Sequence, residues 1–164
     1  MLERKRKLDC ANGREKADLV LKNGNVLNVF TEEVLKADVA ICGDTIVGVG
    51  EYEGKEEIDC TGKYLVPGFI DAHMHIESCM AAPGELAKVL AKAGTTTIIA
   101  DPHEIVNVSG TKGMDYFLKC AAKLLVNVFF MVPSAVPATD VETNGCGEFL
   151  ASDMMKYVDN ARSE

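Results

Sequence analysis

Histidine is scarce in this chain of 164 residues: the three present are His73, His75 and His103, so any imidazole chemistry has to be built from those positions. Positive charge is also in short supply. Lys and Arg number 17 against 25 Asp and Glu, a net charge of -8, which disfavours a nucleic-acid backbone or an anionic membrane surface as partner. The one basic cluster, Arg4-Lys5-Arg6-Lys7, reads as a solvated face on an N-terminal tail covering residues 1–15. Uninterrupted apolar runs all fall short of the ~18 residues that a membrane-spanning helix requires. The cysteines, Cys10, Cys42, Cys60, Cys79, Cys120 and Cys146, include no Cys-x-x-Cys pair. No charged-then-apolar leader opens the chain, and the two absences together predict reduced thiols and a cytoplasmic protein. Cys79 reads as a small buried side chain. No Gly-x-Gly-x-x-Gly follows an apolar run, so a dinucleotide-binding fold has no support.

What the chain does have is apolar content, 48%, enough to bury the core of about one domain. It is arranged in two rhythms. Over residues 16–62 the runs are short and punctuated, with turn signals at Asn23-Gly24-Asn25 and Gly43-Asp44, which predicts a small all-β unit of hairpins. Such a unit leaves strand edges open and calls for further strands to complete it. From residue 63 to 164 the rhythm becomes strand, helix, strand, helix. "YLVPGFIDA" reads as one buried strand, and "APGELAKVLAKAG" as a helix with Pro83 at its start and Gly94 past its end. "TTTIIA" reads as a second strand, residues 113–125 as a helix, "LVNVFFMV" as a third strand and "GEFLASDMMKYVDNA" as the opening of a third helix. Continuously apolar strands alternating with helices predict a parallel sheet in an α/β fold, the first three units of a TIM-type (β/α)8 barrel. An open doubly wound sheet is the alternative.

Either architecture binds its ligands beyond the carboxyl ends of the strands. Those ends read "DAHMHIES", "ADPHEIVN" and "VPSAVPAT", so all three histidines fall on one face together with Asp71, Glu77, Asp101 and Glu104. Period-two alternation sends Asp71, His73 and His75 to one side, with about 6.6–7 Å between same-side neighbours. Two such imidazoles can converge on an ion. Imidazole with carboxylate suits Zn, Fe, Mn or Co, and a divalent ion with an open position favours hydrolysis by lowering the pKa of a bound water toward 7.

The segments "LVPGFIDAHMHIESCM", "GTTTIIADPHEIVNVSG" and "VPSAVPATDVETNG" together resemble the N-terminal part of the adenine deaminase family, within the amidohydrolase superfamily. "PGFIDAHMH" alone points only to the superfamily, which also holds cyclic amidases and N-acetylglucosamine-6-phosphate deacetylases; "HIES", "ADPHE" and "VPSAVPAT" narrow it. Departures from the pattern are Cys79, Ala135 and the stretch Asn144-Gly145-Cys146. The resemblance implies hydrolysis of adenine to hypoxanthine and ammonia at a binuclear divalent metal centre (Mn, Fe or Zn), with His73 and His75 binding one ion. It implies that Asp71, Glu77, Asp101, His103 and Glu104 contact the purine or support the metal ligands, and that the catalytic groups lie downstream of Glu164. The residues 16–62 would then be part of a composite β-sandwich, and a homo-oligomer is expected. On this view the chain is a fragment, inactive alone; a fragment of another amidohydrolase and a non-catalytic module are the alternatives.

Overall fold

The computed structural model describes residues 2–134, 136–139, 141–142, 145 and 148–158. Ala135, Asn144 and Cys146, three of the departures noted above, lie outside the described residues. The chain divides into two compact units, Met1–Pro67 and Gly68–Glu164. No helix among the described residues is long and apolar enough to cross a membrane.

The first unit opens with a helix where a tail is expected: α1, Leu2–Ala11. Its basic residues are not simply solvated. Arg6 pairs with Glu15 at 3.0 Å and with Asp18, and Lys7 pairs with Asp44 at 2.8 Å and with Glu3 one turn back at 3.2 Å. Cys10, on the same helix, is fully buried. These partners lie up to 37 residues away, which is why charge patterning alone misses the helix.

Five strands follow: β1 (Ala17–Asn28), β2 (Glu33–Cys42), β3 (Thr45–Gly50), β4 (Gly54–Asp59) and β5 (Tyr64–Leu65). They form a sheet in the order β3-β2-β1-β4, with β5 also on β1. The turn expected at Gly43-Asp44 joins the antiparallel pair β2 and β3, with Gly43 at φ 61°. The turn expected at Asn23-Gly24-Asn25 does not form. Those residues are an irregularity inside β1, where the register with β2 shifts between Leu21 and Gly24 and Asn23 takes φ 60°. Leu65 explains the glycine, because a Cβ on Gly24 would sit 2.5 Å from Leu65 Cδ1.

The second unit is β6 (Phe69–Met74), a 3-10 turn (Glu77–Cys79), α2 (Pro83–Lys92), β7 (Thr95–Ala100), α3 (His103–Ser109), α4 (Thr111–Ala121), β8 (Asn127–Phe130) and α5 (Ala151–Val158). Strands β6, β7 and β8 are adjacent and parallel. Ile76, Ile98, Ala100 and Phe117 form one buried cluster; Val106, Met114, Val136, Phe149 and Tyr157 form another.

Three expectations need correction here. The run "YLVPGFIDA" is not one buried strand: Tyr64–Leu65 pairs with β1, Phe69–Met74 pairs with β7, and Val66-Pro67-Gly68 separates them. Proline lacks the N–H that a continuous ladder needs, and a Cβ on Gly68 would lie 2.2 Å from Thr96 Oγ1. Phe69 and Ile70 are 61% and 66% exposed, since β7 is the one strand paired with β6 among the described residues. The helix expected over 113–125 is α4, which begins at Thr111 and ends at Ala121, and a separate helix not expected from the sequence, α3, precedes it across Gly110 at φ 58°. Cys79 is exposed, not buried.

Candidate metal-binding site

The carboxyl end of β6 is irregular, and the irregularity places the histidines. Asp71 pairs with Ile98 and Met74 with Ala100, three steps on β6 against two on β7. The extra residue is a bulge, a device that re-aims side chains beside sites. Asp71 Oδ1 accepts the backbone N–H of His73 at 3.1 Å across it. The rings of His73 and His75 meet edge to face, 5.1 Å apart and 82° between planes.

At the end of β7, the Asp101 N–H donates to Met74 O at 2.8 Å, and Met74 is the residue between the two histidines. One ligand atom from each of His73, His75 and Asp101 lies within 4.8 Å of the others. Asp101 Oδ1 is buried with no hydrogen-bond partner. An orphaned carboxylate oxygen beside two imidazoles is an arrangement that a divalent cation fits, by donor type and by the missing partner it supplies.

Glu104, on the first turn of α3, braces His75. Its Oε2 lies 2.8 Å from His75 Nδ1, and Ser78 Oγ donates to its Oε1 at 3.1 Å. Burial pulls the His75 pKa down, but the Glu104 hydrogen bond and the charges of Glu104, Asp101 and Glu77 outweigh it and raise the pKa above its ordinary value. Burial likewise pushes Glu104 up, and its own backbone N–H, His75 and Ser78 together hold it below the usual carboxylate range. Glu77 Oε1 accepts the backbone N–H of Ile105 at 2.9 Å, which ties the 3-10 turn to α3; its Oε2 is buried without a partner.

The remaining histidine belongs to a different constellation. His103 Nε2 lies 3.0 Å from Glu142 Oε1, which also accepts Asn107 Nδ2 at 2.7 Å, while Glu142 Oε2 takes the Ala138 N–H. The His103 contact first, then the Ala138 N–H, lower the Glu142 pKa. Asp71, expected to orient an imidazole, instead caps the bulge backbone. Glu142, Ser78 and Asn107 are missed by the sequence reading. Glu142 lies in the quoted segment "VPSAVPATDVETNG", and its charge after the third strand was the available signal.

Residues 64–163 match a family model described as the amidohydrolase family. The chain is 57% identical over 150 residues to an adenine deaminase of Desulfitobacterium hafniense, covering 92% of this chain and 26% of that protein. It is 49% identical over 156 residues to an adenine deaminase of Clostridium acetobutylicum, with 95% and 27% covered. The chain thus spans about a quarter of the length of the curated relatives it matches. Among solved structures, an N-acyl-D-glutamate deacylase from Bordetella bronchiseptica, complexed with zinc, superposes with a TM-score of 0.57 at 19% identity over 71% of this chain and 29% of that one. A D-aminoacylase described by its binuclear metal center superposes at 0.56 with 24% identity over 70% and 29%.

Proposed function

The chain belongs to the amidohydrolase family, and on that premise we propose that it supplies the N-terminal part of an adenine deaminase, hydrolysing adenine to hypoxanthine and ammonia in the complete protein. The supporting observation is the convergence of His73 and His75 at the end of a parallel strand, in a chain whose relatives are adenine deaminases. In this proposal the three β-α units open a TIM-type barrel, residues 16–62 belong to a composite β-sandwich, and the protein acts in the cytoplasm.

His73 and His75 would hold a divalent ion, manganese, iron or zinc. Such an ion acts as a Lewis acid and brings the pKa of water near 7. Glu104 selects the form of His75 that can ligate: a carboxylate only accepts, so His75 Nδ1 carries the proton and Nε2 keeps its lone pair. Ser78 holds the other Glu104 oxygen and stops the carboxylate from turning. Glu142, with three donors on it, keeps His103 Nε2 protonated in the same way. That leaves His103 Nδ1 as an acceptor for the purine.

The test uses the complete protein that contains this chain, loaded with Mn2+. It should release hypoxanthine and ammonia from adenine, and His73→Ala should abolish turnover and lower the metal retained after dialysis. Full metal occupancy with near wild-type turnover in His73→Ala would refute the site. Inertness toward adenine, with opening of a cyclic amide or release of acetate from an amino sugar, would keep the family and overturn the substrate.

A further inference from the structure

We propose that Asp101 is itself a ligand of the ion, so that this chain supplies three donor atoms, two nitrogens and one oxygen, from the ends of two adjacent strands. The inference rests on the reading that an ion sits at His73 and His75, and assigns a residue that the sequence places only in a supporting role.

Each neighbouring carboxylate has a nameable partner except this one. Glu104 accepts from His75 and Ser78, Asp71 accepts the His73 N–H, and Glu77 Oε1 accepts the Ile105 N–H. A carboxylate that merely orients a ligating imidazole takes its free N–H, as Glu104 does. Asp101 accepts from neither ring among the described residues, and its Oδ1 is buried without a partner. Glu77 Oε2 is also unpartnered, but Glu77 is not in the group whose ligand atoms lie within 4.8 Å of one another.

The distances are close to those of a bound ion. Donors about 2.0–2.2 Å from a tetrahedral ion are about 3.4 Å from one another, so atoms within 4.8 Å need close by little more than ~1 Å, within reach of side-chain rotation. The backbone is already set by the Asp101 N–H on Met74 O at 2.8 Å. Leaving a buried carboxylate oxygen unpaired is unfavourable; an ion removes that penalty and balances its own charge against the carboxylate. Two imidazoles and a carboxylate suit the borderline divalent ions of the first transition row.

Cobalt titration of the purified chain tests this, with folding checked by far-ultraviolet circular dichroism. Affinity alone does not decide, because loss of an outer carboxylate also weakens metal binding by about 10–100-fold. Ligand identity is read from the spectrum instead. Asp101→Cys should gain a near-ultraviolet thiolate-to-cobalt absorption that the unsubstituted chain lacks. Asp101→Asn, which preserves shape, should shift the visible cobalt bands and weaken binding by more than about tenfold. Cobalt bound to Asp101→Cys with no thiolate absorption, or unchanged visible bands in Asp101→Asn, would overturn the assignment and leave the histidine site standing. No cobalt uptake by the unsubstituted chain would overturn both the assignment and the ion it presumes.

Discussion

Replacing Gly113 by alanine reaches the site through packing alone. Gly113 is buried on α4 where that helix crosses α3, and a Cβ there would lie 2.6 Å from the Ile105 backbone oxygen and 2.9 Å from Ile105 Cγ1. The Cγ1 can rotate away; the carbonyl oxygen cannot. Restoring an ordinary carbon–oxygen contact of about 3.3 Å requires Ile105 to withdraw by ~0.7 Å. Glu104 precedes Ile105 on the same helix, and its bond to His75 is 2.8 Å long, so a shift of that size suffices to take it out of hydrogen-bonding range. Alanine gains about 1 kcal/mol over glycine in helix propensity, whereas overpacking costs about 1–3 kcal/mol. The backbone clash should win. We expect Gly113→Ala to destabilise the chain by up to about 2 kcal/mol net in urea unfolding, with weaker divalent-metal binding. A stability equal to or above that of the parent, with unchanged metal affinity, would show that α3 and α4 do not meet through this glycine.

Two further outcomes are expected away from the ligands. Arg6, with the Gly43 N–H and Lys55, holds Asp18 far below the carboxylate range, and Lys7, then Thr45, hold Asp44 at about 2. Depressed carboxylates stabilise above their unfolded pKa near 3.8 and lose that contribution as pH falls through the folded value. Hydrogen exchange over Leu2–Ala11 should therefore stay protected down to about pH 4 and lose protection toward pH 2; protection already lost near pH 6 would contradict the pairing. The hydroxyl of buried Tyr157 lies 2.9 Å from Asp115 Oδ1 and 3.2 Å from Thr111 O, and burial followed by Asp115 pushes its pKa up to about 12. Tyr157→Phe should lower stability by about 1–3 kcal/mol, read from the urea midpoint, and an unchanged midpoint would remove this bond as an anchor of α5.

Local pattern exposed those parts of the site that lie close together in the chain. His73 and His75 at a strand end, and the parallel order of β6, β7 and β8, follow from spacing and from the change of apolar rhythm. What stayed hidden depends on partners far along the chain. The helix α1 is fixed by Asp18 and Asp44, Gly24 by Leu65, and the Glu142 contact with His103 spans 39 residues. The run through Pro67-Gly68 reads locally as one strand, and only the pairing of Leu65 with Val26 and of Ile70 with Thr97 assigns its two halves to different sheets.

Strict alternation is also too simple an account of the histidine pair itself. It would keep same-side residues at about 6.6–7 Å along a straight strand, and β6 ends at Met74, before His75 is reached. The register shift between Asp71 and Met74 advances β6 by three residues against two on β7, and beyond it the two imidazole centroids lie 5.1 Å apart. The same bulge aligns Met74 with Ala100, so that the next residue of the neighbouring strand, Asp101, hydrogen-bonds to Met74 O. Asp71 contributes through the backbone: its carboxylate accepts the His73 N–H at the irregular part of the strand. Two imidazoles and the carboxylate that follows β7 come together beside a strand that is locally out of register, a feature that residue spacing does not reveal.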